Sequence, residues 1–279
     1  YDNKEFKKSN WKVIYDYLEK KDLSEFGFEN VEITHVWSQD KDESRSLARA
    51  THISKIVDDK NEMIEEVDGV IIARDDYQNH LELSREFLES GLFVFIDKPL
   101  CLDLEELKYF KKYLEKGKLM SRSGVRYATE LDELRANIDS FGDITSIKGT
   151  VTKTLDKYGI HMLDGIFGIK DFEIETVEYR KGKTEILQLN TKDNTTIQVE
   201  ALGNSPIVFQ FDFWGDKNRY HAEIKDNFTM FRRMLYRFIK MVREKNNDPS
   251  LTIKLIRILI ATELSKKSGE SVKLDDVTL

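Results

Sequence analysis

The stretch Gly91-Leu-Phe-Val-Phe-Ile-Asp97-Lys98-Pro99 decides how the chain is read. Phe93 to Ile96 are four apolar residues in a row, with no polar face between turn signals, which predicts a strand buried on both sides. Gly91 suits the left-handed position that closes a preceding helix, predicted from about Asn79 to Ser90. Working outward, Val70-Ile-Ile-Ala73 is a second buried strand, and Val31, Ile33, His35 and Trp37 alternate as a third over residues 31–37. Helical patterns separate them: one capped by Asp40 with Glu43, a short one from Asp59 to Val67, and one capped by Asp103 with Glu106 that ends at Gly117. An amphipathic helix over Asn10 to about Lys21 precedes them. Strands alternating with such helices predict right-handed βαβ units and a parallel sheet.

Beyond about residue 120 the rhythm changes. Ile144–Thr154, Phe172–Arg180, Thr184–Leu189, Thr195–Ala201 and Ile207–Trp214 read as consecutive strands joined by short polar turns, an antiparallel meander. Two helices follow, roughly Asn227–Lys245 and Ser250–Ser268, separated by Asn246-Asn-Asp-Pro249. We therefore expect two domains, 1–120 and 121–279, of α/β class.

The composition narrows the function. Of 279 residues, 44 are Lys or Arg and 51 Asp or Glu, so the net charge is −7, which repels a phosphate backbone and argues against nucleic acid as partner. The basic cluster Arg232, Arg233, Arg237 and Lys240 alternates with apolar residues and reads as a solvated helix face. With 40% hydrophobic and 34% charged residues there is material for a core, and no run approaches the 18 apolar residues of a membrane span. The one cysteine, Cys101, allows no internal disulfide and fits a reducing cytoplasm. His35, His52, His80 and His221 show no metal-ligand spacing, so no metal is expected.

In an open parallel sheet, ligands bind beyond the carboxyl ends of the strands. Three polar groups fall there: Ser38-Gln39-Asp40, Arg74-Asp75-Asp76 and Asp97-Lys98-Pro99. Lys98, between a buried strand and a proline that holds its backbone extended, is the sharpest candidate for acid–base chemistry, with pairing to Asp97 as the structural alternative. A second constellation is Tyr158-Gly-Ile-His161-Met-Leu-Asp164. On a helix His161 and Asp164 share a face, so the carboxylate could orient the imidazole; a purely structural helix is the other reading.

Together and in this order, these pieces resemble the Gfo/Idh/MocA family of nicotinamide-dependent sugar and cyclitol oxidoreductases. The matching residues are Val67 to Ala73 leading to His80, Gly91 to Leu100 with Asp97-Lys98-Pro99 in place of the family's Glu-Lys-Pro, and Gly159-Ile-His161. Glu263, Ser265, Gly269 and Val272-Lys-Leu274 resemble its last helix and tail. The likeness implies a Rossmann-type doubly wound sheet, then an α+β domain with a large, mostly antiparallel open sheet that carries the substrate site and forms homodimers or homotetramers. It implies hydride transfer between NAD or NADP and a polyhydroxy substrate, with Lys98 and His161 as catalytic acid/base residues. Ser38, Gln39, Asp40, Arg74, Asp75, His80, Asp97, Lys98 and Pro99 would face the cofactor. Lys98, Arg126, Tyr127, Tyr158 and His161 would face the substrate, a domain-interface clamp being the even alternative for Arg126-Tyr127.

Three departures carry further expectations. No glycine-rich phosphate loop precedes the first helix, which predicts roughly 20–40 more residues upstream of Tyr1, with the first strand. Neutral Ser38 stands where an acidic residue often holds the ribose, a lean toward NADP. Lys157 replaces the aspartate often found before the family histidine; it is expected to modulate Lys98 by like-charge repulsion, or else to mark a non-catalytic sensor or assembly subunit that binds a dinucleotide or sugar. Asp75-Asp76-Tyr77 replace the family's more usual Thr-Pro. Phe209, Phe211 and Phe213, at strand spacing, read as sheet core or interface.

Overall fold

Gly69–Ile72 and Phe93–Ile96 do form neighbouring parallel strands, paired Val70 to Val94 and Ile72 to Ile96. The computed structural model describes residues 1–9, 11–245 and 248–279. Asn10, where the first amphipathic helix was expected to start, and positions 246–247, in the expected loop between the last two helices, lie outside the described residues.

In chain order the first part holds α1 (Asn3–Lys8), α2 (Lys12–Leu18), β1 (His35–Val36), α3 (Lys41–Thr51), β2 (Lys55–Ile56), β3 (Gly69–Ile72), α4 (His80–Glu89), β4 (Phe93–Ile96), α5 (Leu104–Glu115) and β5 (Leu119–Met120). Caps follow the sequence signals: Asp103 accepts hydrogen bonds from the Glu105 and Glu106 amides, and Gly91 takes φ +85°. The parallel strands fall into two pieces, β1–β2 and β3–β4–β5. The strand expected over 31–37 shrinks to two residues because its partner β2 is equally short and Ile33 faces solvent. The helix expected from Asp59 to Val67 is a single 3₁₀ turn, Lys60–Met63, although Asp59 and Glu62 do close a capping box around it.

The second part holds α6 (Asp132–Asn137), β6 (Ile144–Val151), a π-helical turn (Leu155–Gly159), α7 (Ile160–Phe167), β7 (Ile174–Lys181), β8 (Glu185–Thr191), β9 (Thr196–Ala201), β10 (Phe209–Gly215), β11 (Arg219–Glu223), α8 (Asn227–Glu244), α9 (Ser250–Ser268) and β12 (Val272–Lys273). The seven strands run β11-β10-β6-β9-β8-β7-β12. A plain meander is therefore corrected: β6 inserts between β9 and β10 and pairs parallel to β9, Ile147 beside Ile197. Alternation marks which face a residue takes but not the direction of its neighbour, so the sequence could not announce this pairing.

Two glycines bring α7 down onto this sheet. A side chain at Gly165 would stand 2.6 Å from Phe211 Cζ, and one at Gly149 on β6 would stand 3.0 Å from Met162 Cβ. Phe211 and Phe213 are fully buried beneath the helix. Every residue of α7 is buried, so its position is fixed by close packing that tolerates no extra methyl group.

Candidate active site

Lys98 leaves the end of β4, where the Asp97 amide still donates to Ile72 O at 2.9 Å and prolongs the β3–β4 ladder by one residue. The peptide bond to Pro99 is cis. The Lys98 side chain is only 13% exposed, its Nζ lies 3.1 Å from Asp97 Oδ2, and it stands over the Tyr158 ring at 5.9 Å. Both readings of Lys98 thus meet in one geometry: the ammonium is paired, and it is held at the strand edge.

Tyr158 belongs to the π-helical turn, a distortion that often accompanies functional positions. The turn is pinned from below by Glu185, whose carboxylate accepts from the Leu155 amide at 2.9 Å. Tyr158 packs edge-on against the His161 ring at 5.2 Å and stacks on Phe209 at 5.9 Å, and Phe209 meets His161 at 5.3 Å. Phe209 therefore differs from the fully buried Phe211 and Phe213: it is half-buried, packed against the core and also against the His161 and Tyr158 rings. Lys153 also stands over the Tyr158 ring, at 5.1 Å.

His161 is buried, and its protonation is pushed well below the usual histidine range, first by burial and then by the charge of Lys98. The imidazole is neutral near pH 7. Asp164 does not orient it, contrary to the expectation from their spacing. Asp164 Oδ2 instead accepts from the Ser123 amide at 2.6 Å, and Oδ1 from Arg126 at 3.2 Å. The partner of His161 is Ser123, with Oγ 2.7 Å from Nδ1. Ser123 Oγ also accepts from the Val125 amide at 3.1 Å and keeps a proton and a second lone pair, so it can pair with Nδ1 in either tautomer of the ring.

Ser123 was not read from the sequence. It follows β5, a fourth strand end, and the rule that singled out the other three applies equally there. Arg126, gripping Asp164 and accepting at its carbonyl from Arg135, is placed as a clamp on α7. Tyr127 packs against Phe93, Phe95 and Met120 of the parallel strands and Met234 and Phe238 of α8. Lys157 is exposed on the π-helical turn, and among the described residues no hydrogen bond or ion pair joins it to Lys98.

The other strand ends are tied to one another. Arg74 holds Asp76 with both ends of its guanidinium and donates to Gln39 at 2.5 Å, joining the loops after β1 and β3. Ser38 Oγ donates to Asp40 O at 2.6 Å, and the Asp40 carboxylate accepts from the Asp42 amide as the cap of α3. Asp75 is exposed. His80 is fully buried, its ring nitrogens at Leu100 O and Arg74 O, so it fastens the loops after β3 and β4 from beneath. The Gln39 carboxamide and the Arg74 guanidinium are thus held together across the loops after β1 and β3. Among the described residues no three His, Cys, Asp or Glu gather as a metal set, and no helix is long and apolar enough to cross a membrane.

Comparison with known proteins agrees with this architecture. Residues 15–125 match the oxidoreductase family with an NAD-binding Rossmann fold, the Gfo/Idh/MocA family. No curated protein matches the sequence. Similar solved structures include myo-inositol 2-dehydrogenase from Lactobacillus plantarum, 15% identical with TM-score 0.77 over 88% of this chain and 92% of that one. A myo-inositol dehydrogenase from Corynebacterium glutamicum is 16% identical, with TM-score 0.76 over 88% and 92%. GenD2 from gentamicin A biosynthesis, solved with NAD, is 14% identical, with TM-score 0.78 over 87% and 89%. At such identities the likeness is one of fold.

Proposed function

Because residues 15–125 match the Gfo/Idh/MocA oxidoreductase family with its NAD-binding Rossmann fold, we propose that this protein transfers a hydride between a nicotinamide cofactor and a sugar, cyclitol or related polyhydroxy compound. The observation that carries this is the pairing of a constrained cation, Lys98, with a buried neutral imidazole, His161, both against the Tyr158 ring. The inositol dehydrogenases of similar fold support the substrate class. We keep the division into 1–120 and 121–279, since the parallel strands precede it and the seven-stranded sheet follows.

When bound, the nicotinamide supplies or accepts the hydride. The chain's own residues manage the proton and the charge. As a hydride leaves the substrate carbon, the hydroxyl proton must leave its oxygen; Lys98 holds that oxygen and stabilises its growing negative charge. When Nδ1–H donates to Ser123 Oγ, His161 Nε2 carries the lone pair that accepts the hydroxyl proton, and the resulting imidazolium returns that proton to the same oxygen in the reverse reaction. Tyr158 and Phe209 exclude water around the imidazole and offer an apolar wall to the ring of the substrate. Lys157, exposed on the same turn, acts only by adding positive potential to the mouth.

For the cofactor we infer a preference for NADP. Ser38 and Gln39 are neutral, and the Asp40 carboxylate is engaged in capping α3, so a 2′-phosphate meets little repulsion there. Titration with NADPH and NADH tests this, tighter binding of NADH being the contrary result. The oxidoreductase reading itself is tested by following reduced-nicotinamide absorbance over a panel of polyols. Turnover lost in Lys98→Ala supports it; tight cofactor binding without turnover on any polyol favours a sensor or assembly subunit. The cytoplasm and a homodimer or homotetramer through the large sheet complete the proposal, with light scattering on the purified protein as the check on assembly.

A further inference from the structure

Beside Lys98 lies a small cavity between the segments that follow β4 and β5, α7 and α9. Its lining includes Lys98, Ser121, Arg122, Asp164 and Thr252. Among the described residues two buried side-chain polar atoms have no hydrogen-bond partner, Arg122 Nη1 and Thr252 Oγ1, and both residues line this cavity. Arg122 is 7% exposed and Thr252 4%. Buried polar groups are rarely left unsatisfied, so two orphans around one hollow point to an occupant.

Charge says what kind. Lys98 pairs with Asp97 at 3.1 Å, and Arg126 with Asp164 at 3.2 Å. Asp164, the carboxylate on the cavity wall, is further engaged by the Ser123 amide. Arg122 is left over: it donates to the carbonyl of Asp248 at 3.1 Å, while the Asp248 carboxylate accepts from the Ser250 amide. Among the described residues it makes no ion pair. A guanidinium stays charged in a protein, and Asp164 and Asp248 act on this one only from beyond ion-pair distance, so the buried charge is incompletely matched. A water would answer the hydrogen bond but leave the charge; an anion answers both. The room is that of one or two small spheres, too little for a sugar or a phosphate.

We propose that this cavity binds a monatomic anion, chloride in kind, held by Arg122 Nη1 and Thr252 Oγ1 and shared as counter-charge with Lys98. The site adjoins Lys98, but its test reads anion occupancy and not turnover, so it can fail or stand apart from the dehydrogenase reading. It is tested on the whole chain crystallised from bromide, with anomalous scattering at the bromine edge. A single peak within hydrogen-bonding reach of both atoms is expected; an ordered water with no bromide overturns the proposal. In solution, melting in chloride should lie about 2–4 °C above melting in gluconate at equal ionic strength. Thr252→Val, which keeps the side-chain shape, should shrink that difference, and Arg122→Leu should abolish it. Equal melting in the two salts overturns the proposal as surely as the missing peak.

Discussion

Ser123 Oγ lies 2.7 Å from His161 Nδ1, and the same residue's amide lies 2.6 Å from Asp164 Oδ2. One residue at the end of a parallel strand thus holds both polar side chains of the helix that carries the imidazole. Ser123→Ala strands a buried ring nitrogen, at a cost of about 1–3 kcal/mol in stability. Turnover should fall by about tenfold or more with KM little changed, since the serine touches the histidine and not the substrate. Ser123→Thr, which restores the hydroxyl, should recover most of it. Steady-state kinetics on the three proteins provide the check, and unchanged kcat in the alanine variant would show that the bond is only structural.

Replacing Lys98 by Met keeps the length of the side chain and removes its charge. We expect kcat/KM to fall by about 10²–10⁴-fold. Because the charge of Lys98 is one of the two causes holding His161 neutral, the imidazole in this variant should also titrate at higher pH than in the parent. Histidine NMR reads that shift separately from activity.

The pH dependence of stability has a definite sign. His161 binds its proton less readily in the folded chain than in the unfolded one, where the usual value is near 6.5. The unfolded state therefore takes up more protons as pH falls through and below 6.5, so this contribution is complete above that pH and is lost toward acid. His161→Gln removes the titration. Its melting temperature, measured beside the parent from neutral to acid pH, should fall less steeply; parallel curves would contradict the assignment.

Gly165→Ala places a methyl group 2.6 Å from Phe211 Cζ. With α7 wholly buried, the helix must lift or the ring must turn, and about 1–3 kcal/mol of stability should be lost. Chemical denaturation measures this. Pairing the change with Phe211→Leu should give a loss smaller than the sum of the two single losses, because the added methyl then fills part of the vacated space.

The legibility of this protein from its sequence differs sharply from residue to residue. Lys98 was readable because a strand buried on both faces admits only apolar residues, so the first charge after Ile96 marks the edge of the sheet. His161 was readable through its resemblance to a family and through helical spacing. The helix was right, but the spacing suggested the wrong partner. Asp164 sits one turn from His161 in sequence, whereas Ser123 is 38 residues away and reaches the imidazole only because α7 lies across the end of β5. Phe209 shows the same limit: its alternation with Phe211 and Phe213 fixes a common face, but that face runs from core into cleft. The parallel pairing of β6 with β9 was invisible because alternation carries no direction.

The grip of Ser123 and Arg126 on α7 also sets a mechanical path. Lys98 lies two residues beyond β4, β5 is the hydrogen-bonded neighbour of that strand, and Ser123 lies three residues beyond β5. The imidazole is thus tied to the ends of the parallel strands by short links, Ser123 on one side and Tyr158 on the other, without passing around the seven-stranded sheet. A change at Ser123 is therefore felt by the imidazole and by the anchor of α7 at once.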